Sequence, residues 1–480
     1  MYMVRTVDAA TFRDMIDARR RGDRSFALVD TRPEESFAGW HVADAIHYFY
    51  KPFHEFDLDD FERETGLSPD DSVVTLCAKG KASNDFAAEL DAAGYEDVVV
   101  VADGMRGWSA VYDRTAVPIA DGSDAAPGLD IVQIQRRAKG CLGYLAVGGR
   151  ERGSADHVPG ASDSDGSGRV AVADSDGSDR VAVADSDGSD RVAVADSDGS
   201  DRVAVADSDG SDRVAVAIDV SRHGDEWVEA AAERDASIAA VLDTHVHADH
   251  LSGGRALADD LGVPYYLPAA AADRDVAAEF EPIGRNETLD VGGIDLKALA
   301  TPGHTDDGAS YLVGDAAVLT GDTLFTDSVG RTELQFSAGE DGEDAEEDDG
   351  ASDQGAAGAA RRLYDSLHGT LLAEPDDIAV CPGHFAVAND GTTGDVVPGE
   401  PVFTTVGDAR RGIEVLGLDR EAFVDRITRT LPEKPPNYES VIAANRGVET
   451  PPDETAAIEL ELGPNRCAAD SGSGSTADDD

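Results

Sequence analysis

"THVHADH", residues 244–250, places three histidines and an aspartate within one short stretch, and its surroundings decide the fold. Ahead of it "AAVLDT" (239–244) is apolar and β-compatible. Behind it "LSGGRALADDL" (251–261) turns through glycines and then takes helical spacing, so the polar residues sit on a strand-to-helix loop. Loops of that kind carry function in α/β proteins. Three later stretches repeat the arrangement. "TPGHTDDGASYLV" (301–313), "VLTGDTLF" (318–325) and "AVCPGHF" (379–385) each present one further candidate ligand beside an apolar strand or turn: His304, Asp322 and His384. With His245, His247, Asp249 and His250, this set has the residue types and placement of a metal centre.

Composition narrows the setting. A chain of 480 residues is too long for one ordinary domain, and its 41% apolar content suffices for two or three cores. The formal charge is −57, and lysine occurs only at positions 51, 79, 81, 139, 297 and 434. Such a surface repels polyanions, which argues against nucleic acid or an anionic membrane as partner and suggests a cytoplasm of high salt. Full activity after refolding in low salt would contradict that expectation. "MYMVRTVDAATF" lacks the apolar core of a signal peptide, and no run is long enough to span a bilayer, so the chain reads as soluble and cytoplasmic. Cys77, Cys141, Cys381 and Cys467 have no framework spacing. Cys141 and Cys381 read as packing residues and Cys467 as part of a tail.

Residues 1–118 alternate short apolar runs ("FALVD", "VVTLC", "VVVVA") with helical segments, the rhythm of a small parallel α/β domain. Residues 119–128 read as a linker, 129–450 as a second domain, and 451–480 as an acidic tail. Within the second domain, 163–217 holds "DSDGSGRVAVA" followed by four copies of "DSDGSDRVAVA". The last copy runs into an ordinary core strand. The rest read as an expanded, solvated and weakly structured acidic insertion, because so polar a segment buries little and its glycines do not fit an EF-hand loop. Residues 337–358 read as a second acidic loop.

"TLCAKGKASNDFAAEL" (75–90) sets Cys77 after an apolar strand, then a short glycine-containing loop, then a helix beginning near Ser83. Backbone N–H groups of such a loop point at the sulfur and cradle an anion. Lys79 and Lys81 flank it in a chain that avoids lysine, which suggests an anionic sulfur substrate. The stretch resembles the rhodanese family of sulfurtransferases, together with "LVDTRPEESFAGWHVADAIHY" (28–48), carrying Asp30, Arg32 and His41, and "VVVVADGMRGW" (98–108). The resemblance covers most of residues 5–115 and implies a Cys77 persulfide intermediate, with Asp30 and Arg32 as structural supports.

The second domain resembles the metallo-β-lactamase superfamily, whose H-x-H-x-D-H motif is matched in full. The implied fold is an αβ/βα sandwich with the metal at one edge, here following the rhodanese-like domain and interrupted by acidic insertions. The resemblance assigns His245, His247 and His304 to one metal position, Asp249, His250 and His384 to the other, and Asp322 between them. Two branches remain open. Glyoxalase II-like thioester hydrolases fill both positions, with two Zn(II) per chain, and use a metal-activated water. Persulfide dioxygenases hold one Fe(II) per chain through the residues matching His245, His304 and Asp322, leaving positions open for a persulfide and dioxygen. "GDTLFTDSVGRTELQF" (321–336), with Arg331 as a substrate-side arginine, and "LPEKPPNYESVIAANRG" (431–447) are similar to the dioxygenase branch, although Val329 departs from it. The expected activity is oxidation of a low-molecular-weight thiol persulfide to sulfite, with sulfane sulfur passing through Cys77 to or from sulfite or thiosulfate. The alternatives are a dinuclear zinc thioester hydrolase and a non-catalytic sulfur carrier or sensor.

Overall fold

Valine-rich runs buried on both faces make parallel strands, and the first domain is built on them. In the computed structural model, Arg5–Val7, Val98–Val101, Val73–Leu76, Ala27–Asp30 and Ala45–His47 lie side by side in that order, all parallel. Helices Ala9–Arg20 and Lys81–Ala92 bury Phe12, Met15, Phe86 and Leu90 in the cores that flank this sheet. The structure describes residues 4–54, 56–119, 128–149, 213–334, 355–429, 434–435 and 437–469, with four strands of the repeat segment.

The second domain packs two sheets face to face. One runs Glu281–Ile283, Tyr265–Pro268, Ala236–Leu242, Arg213–Ile218, Cys141–Gly149, Asp130–Arg136 and Tyr112–Val117. The other includes Thr288–Val291, Ile294–Ala300, Ala309–Val313, Ala317–Gly321 and Ala379–Pro382. Val216, Leu242, Leu296, Tyr311 and Leu319 meet in the core between them. Helices cover both outer faces: Asp225–Ala232 and Gly254–Leu261 pack on the first sheet, Gly355–Gly369 and Arg420–Arg429 on the second. This is an αβ/βα sandwich.

Three expectations are corrected. Residues 112–117 do not close the first domain: Tyr112–Val117 pairs antiparallel with Asp130–Arg136 and forms the edge of the second domain's sheet. The cause is its alternating, partly apolar pattern, which suits a sheet edge. Residues 451–469 are not a tail. Glu454–Leu460 is a helix, and Glu461 and Cys467 are buried, because Arg136 gives the Glu461 carboxylate a buried partner. The repeats are not irregular throughout: Ala171–Ala173, Asp179–Ala184, Asp190–Ala195 and Asp201–Val205 form an antiparallel array, whose last strand pairs parallel with Thr288–Val291. Valine alternating with alanine is a strand pattern whatever the charge of the sequence around it. The final copy supplies core strand Arg213–Ile218. Most of the 337–358 loop lies outside the described residues, and its last part opens helix Gly355–Gly369.

Candidate metal centre and sulfur-transfer loop

Strand Val73–Leu76 is wholly buried and delivers Cys77 to its end; helix Lys81–Ala92 follows, starting two residues before the expected position. Gly80 makes the tight turn possible. It has φ +78°, and a Cβ there would sit 1.4 Å from the Ala102 carbonyl oxygen. The Met105 N–H donates to the Cys77 carbonyl at 2.8 Å, fastening the loop to the next turn. Cys77 is buried, and the Ser83 hydroxyl donates to its sulfur at 3.4 Å. Lys79 and Lys81 are exposed beside it. Arg32 pairs with Asp30 at 2.7 Å and donates to the Trp40 carbonyl at 2.6 Å, so both hold the sheet end together. His41 stacks on Phe37 and bonds its carbonyl.

The seven ligand candidates converge at one end of the sandwich, all nearly inaccessible. They sort into three groups. His245, His304 and Asp322 turn atoms toward one another, with His304 Nε2 3.5 Å and His245 Nε2 3.9 Å from Asp322 Oδ2. Asp249, His250 and His384 gather with Cys141. His247 lies beside the His245 ring, 4.3 Å between centroids, and its Nε2 lies 3.3 Å from Asp219 Oδ1, in a cluster completed by Asp243.

The polar neighbours fix how these rings point. Thr244 donates its hydroxyl to Asp219 at 3.0 Å and can accept from His245 Nδ1 at 2.9 Å. His304 Nδ1 lies 2.8 Å from the Arg331 carbonyl. Both rings therefore carry their proton on Nδ1 and turn a bare Nε2 inward, the tautomer a metal requires. His384 Nδ1 bonds Asp322 Oδ1 at 2.6 Å and orients that carboxylate, an approach that Gly383 permits because a Cβ there would lie 2.5 Å from the same oxygen. Burial and neighbouring His247 hold the His245 imidazole well below its usual range. Burial raises the Asp322 carboxyl, but His384 beside it outweighs that and holds it below the usual carboxylate range.

The two ligand groups differ in how well they are satisfied. His245 Nε2, His304 Nε2 and Asp322 Oδ2 are buried without a hydrogen-bond partner. Unpaired buried polar atoms are costly, and three converging on one point fit a metal ion. In the second group, His384 Nε2 bonds Asp249 Oδ2 at 2.8 Å, His250 Nδ1 bonds Asp249 Oδ1 at 3.1 Å, and the Cys141 thiol donates to Asp249 at 3.4 Å. Burial and Asp249 push the Cys141 thiol up, yet His384 and His250 bring it down to about 7.

Arg331 differs from expectation. Its guanidinium is fully buried and donates to Glu333 at 2.5 Å and to the Arg466 carbonyl at 2.8 Å. It serves the site through its backbone carbonyl on His304. Cys141 and Cys467 are also corrected: both lie among the ligands, Cys467 beside Asp249, Asp322 and His384. Sequence reasoning missed Asn445 and Glu461 as well. Asn445 donates to the His247 and His250 carbonyls at 2.9 and 2.8 Å, and Glu461 accepts from the Leu251 N–H at 2.8 Å, so the C-terminal segment clamps the ligand loop. Only the position of Asn445 inside the 431–447 stretch hinted at this.

The buried histidine and aspartate clusters give candidate metal-holding groups at the end of the sandwich. Comparison with known proteins gives the family. The rhodanese-like domain model matches residues 8–111, and the metallo-beta-lactamase superfamily model matches residues 211–384. The chain belongs to the metallo-beta-lactamase superfamily and carries an N-terminal rhodanese-like domain. It is 41% identical over 117 residues to a hydroxyacylglutathione hydrolase of Acidiphilium cryptum, a match covering 24% of this chain and 46% of that protein, less than half its length. It is 27% identical over 218 residues to the mitochondrial persulfide dioxygenase ETHE1 of Mus musculus, covering 44% of this chain and 70% of that one. A solved metallo-beta-lactamase from Staphylococcus aureus superposes with a TM-score of 0.46 at 18% identity, covering 67% and 74% of the two chains. These two relatives are named as a hydrolase and a dioxygenase.

Proposed function

We propose that this protein oxidises a low-molecular-weight thiol persulfide to sulfite at a single ferrous ion held by His245, His304 and Asp322, and moves sulfane sulfur through Cys77. The observation that carries this reading is the convergence of three unpaired buried atoms at the two-histidine, one-carboxylate set, while Asp249, His250 and His384 bond among themselves. His247 lies beside the His245 ring with its Nε2 3.3 Å from Asp219 Oδ1, in a group with Asp243. Iron bound by three protein groups would supply oxygen activation and open positions for a persulfide sulfur.

The chain's own residues do the rest. Thr244 and the Arg331 carbonyl fix the two ring tautomers. His384 holds Asp322 to one orientation. The near-complete burial of the ligands limits water around the reacting sulfur. The glycine turn at Cys77 and the exposed Lys79 and Lys81 favour an anionic sulfur species at the first domain. The charge of −57 supports work in a high-salt cytoplasm. Replacing Cys77 with serine is expected to abolish sulfur transfer between thiosulfate and a thiol while leaving persulfide-dependent sulfite formation intact. Loss of both from a folded variant would show that the two centres act as one.

A further inference from the structure

We propose that Asp307 is a positioning residue that sets the spacing of the two histidines of the first ligand group, with Arg274 holding its carboxylate in place. The inference rests on the metal centre of the proposed function and is independent of the reaction that follows there. His245 and His304 come from separate loops, with ring centroids 5.2 Å apart and ring planes at 90°. A shared ion therefore needs the two loops held in register. Thr244 and the Arg331 carbonyl turn the individual rings, but neither of those bonds joins one loop to the other.

The bonds that do cross fall on either side of His245. The Ala309 N–H donates to the Thr244 carbonyl at 2.9 Å, and the Val246 N–H donates to Asp307 Oδ2 at 2.8 Å. Asp307 is buried, and Arg274 Nη1 donates to its other oxygen, Oδ1, at 2.7 Å. Arg274 ends the short helical turn Ala269–Arg274, whose Ala271 packs with Val246 and Leu267. One turn thus receives the Val246 side chain directly and the Val246 N–H through Asp307. The loop that carries His304 is fixed from its other side. Gly303 has φ +148°, and a Cβ there would sit 2.4 Å from the Leu363 Cα, so the loop lies directly on helix Gly355–Gly369. From that helix the Ser366 hydroxyl donates to the Pro302 carbonyl at 2.7 Å.

Stability alone does not call for a charged pair here. A neutral acceptor would satisfy one N–H at a lower desolvation cost, and a buried ion pair adds little net stability. What the pair adds is direction. With one oxygen fixed by the guanidinium, the other has little freedom around the Val246 N–H, and charge-assisted bonds of this kind are short and strong. Ligands of a working metal site must be held to within about 0.5 Å by residues whose own conformations are locked. Asp307 meets that need for His245 and His304 together, because it belongs to the loop of one and bonds the loop of the other.

Titration of the full chain with cobalt(II), after removal of metal by chelation, tests this, because the visible absorption of cobalt reports ligand geometry as well as affinity. The signal followed is the one that Asp322→Ala abolishes. Asp307→Ala is expected to weaken that binding about 10- to 100-fold, the usual consequence of losing a residue that orients metal ligands, and to shift the cobalt bands. Arg274→Ala should lose less, and Arg274→Lys, which keeps a cation, should recover most of the wild-type affinity. A residue that only supports the fold would lower the melting temperature and leave the bands alone, so wild-type affinity and bands in a folded Asp307→Ala would overturn the inference. Should that variant not fold, Asp307→Asn and Arg274→Ala take its place, and wild-type affinity and bands in both would overturn it equally. Cobalt that does not bind the wild type, or binds Asp322→Ala equally well, would instead defeat the metal-centre reading on which the inference rests.

Discussion

Two ligand groups built from the same residue types lie side by side at one end of the sandwich, and they are opposites in their hydrogen bonding. His245, His304 and Asp322 each turn an unpaired atom toward a common point; Asp249, His250 and His384 use theirs on one another and on Cys141. The sequence motif gives the two groups equal weight. What separates them is the surroundings: Thr244 and the Arg331 carbonyl occupy the outer nitrogens of the first pair of rings, whereas the second group has a carboxylate at its centre. A metal-binding motif therefore does not by itself say how many metals are held; the partners of the ligands do.

The largest expected effect breaks the first group. Asp322→Ala should remove bound iron and persulfide-dependent oxygen uptake together, whereas His250→Ala should leave iron content unchanged; equal iron loss in both would erase the difference between the groups. A second prediction concerns the clamp that holds the 249–251 loop. Burial raises the Glu461 carboxyl, but Arg136 and the nearby Lys139 and Arg222 bring it down to about 2. Glu461→Gln leaves Arg136 buried without its charge partner and should cost about 3–5 kcal/mol at neutral pH. Because the folded pKa is depressed, this stabilisation is complete above the unfolded carboxylate value and lost as pH falls toward about 2. Denaturation midpoints of wild type and variant should therefore converge in acid, and a gap that stays constant with pH would contradict the ion pair.

A smaller change is expected at the junction of the groups. His384→Ala frees Asp322 to rotate, which should weaken iron about 10- to 100-fold, the usual consequence of losing a residue that orients a metal ligand. Competitive chelation measures it, and affinity equal to that of Asp322→Ala would make His384 a ligand. The smallest effect is expected from the repeats. Deleting residues 163–206 leaves one copy to form Arg213–Ile218, and iron content and oxygen uptake should be unaltered; a fall in either would give the extra strands a role at the centre.

Much of this was legible in the sequence because it is local. The H-x-H-x-D-H spacing and the strand endings before His304, Asp322 and His384 marked the residues that the fold gathers as candidate ligands, and the Cys77 loop was marked by its glycine and lysines. What stayed hidden depends on distant pairing. Cys141 looks like a core residue until Leu142 bonds the Gly383 carbonyl at 2.8 Å and sets it beside His384. Cys467 sits in a segment that looks like a tail until Arg331 donates its N–H to the Cys467 carbonyl at 3.0 Å. Arg331 looked available to substrate because Glu333, only two residues away, gives no sign in sequence that it will fold back onto the guanidinium. Composition misled at the repeats, where acidic stretches of sequence obscured an alternation that the described strands follow.

The most direct test is metal content of protein purified without oxygen, combined with oxygen consumption on adding a thiol persulfide. The account predicts about one iron per chain and uptake that requires the persulfide. About two zinc per chain, no oxygen uptake and cleavage of a thioester would contradict it and make both ligand groups metal sites.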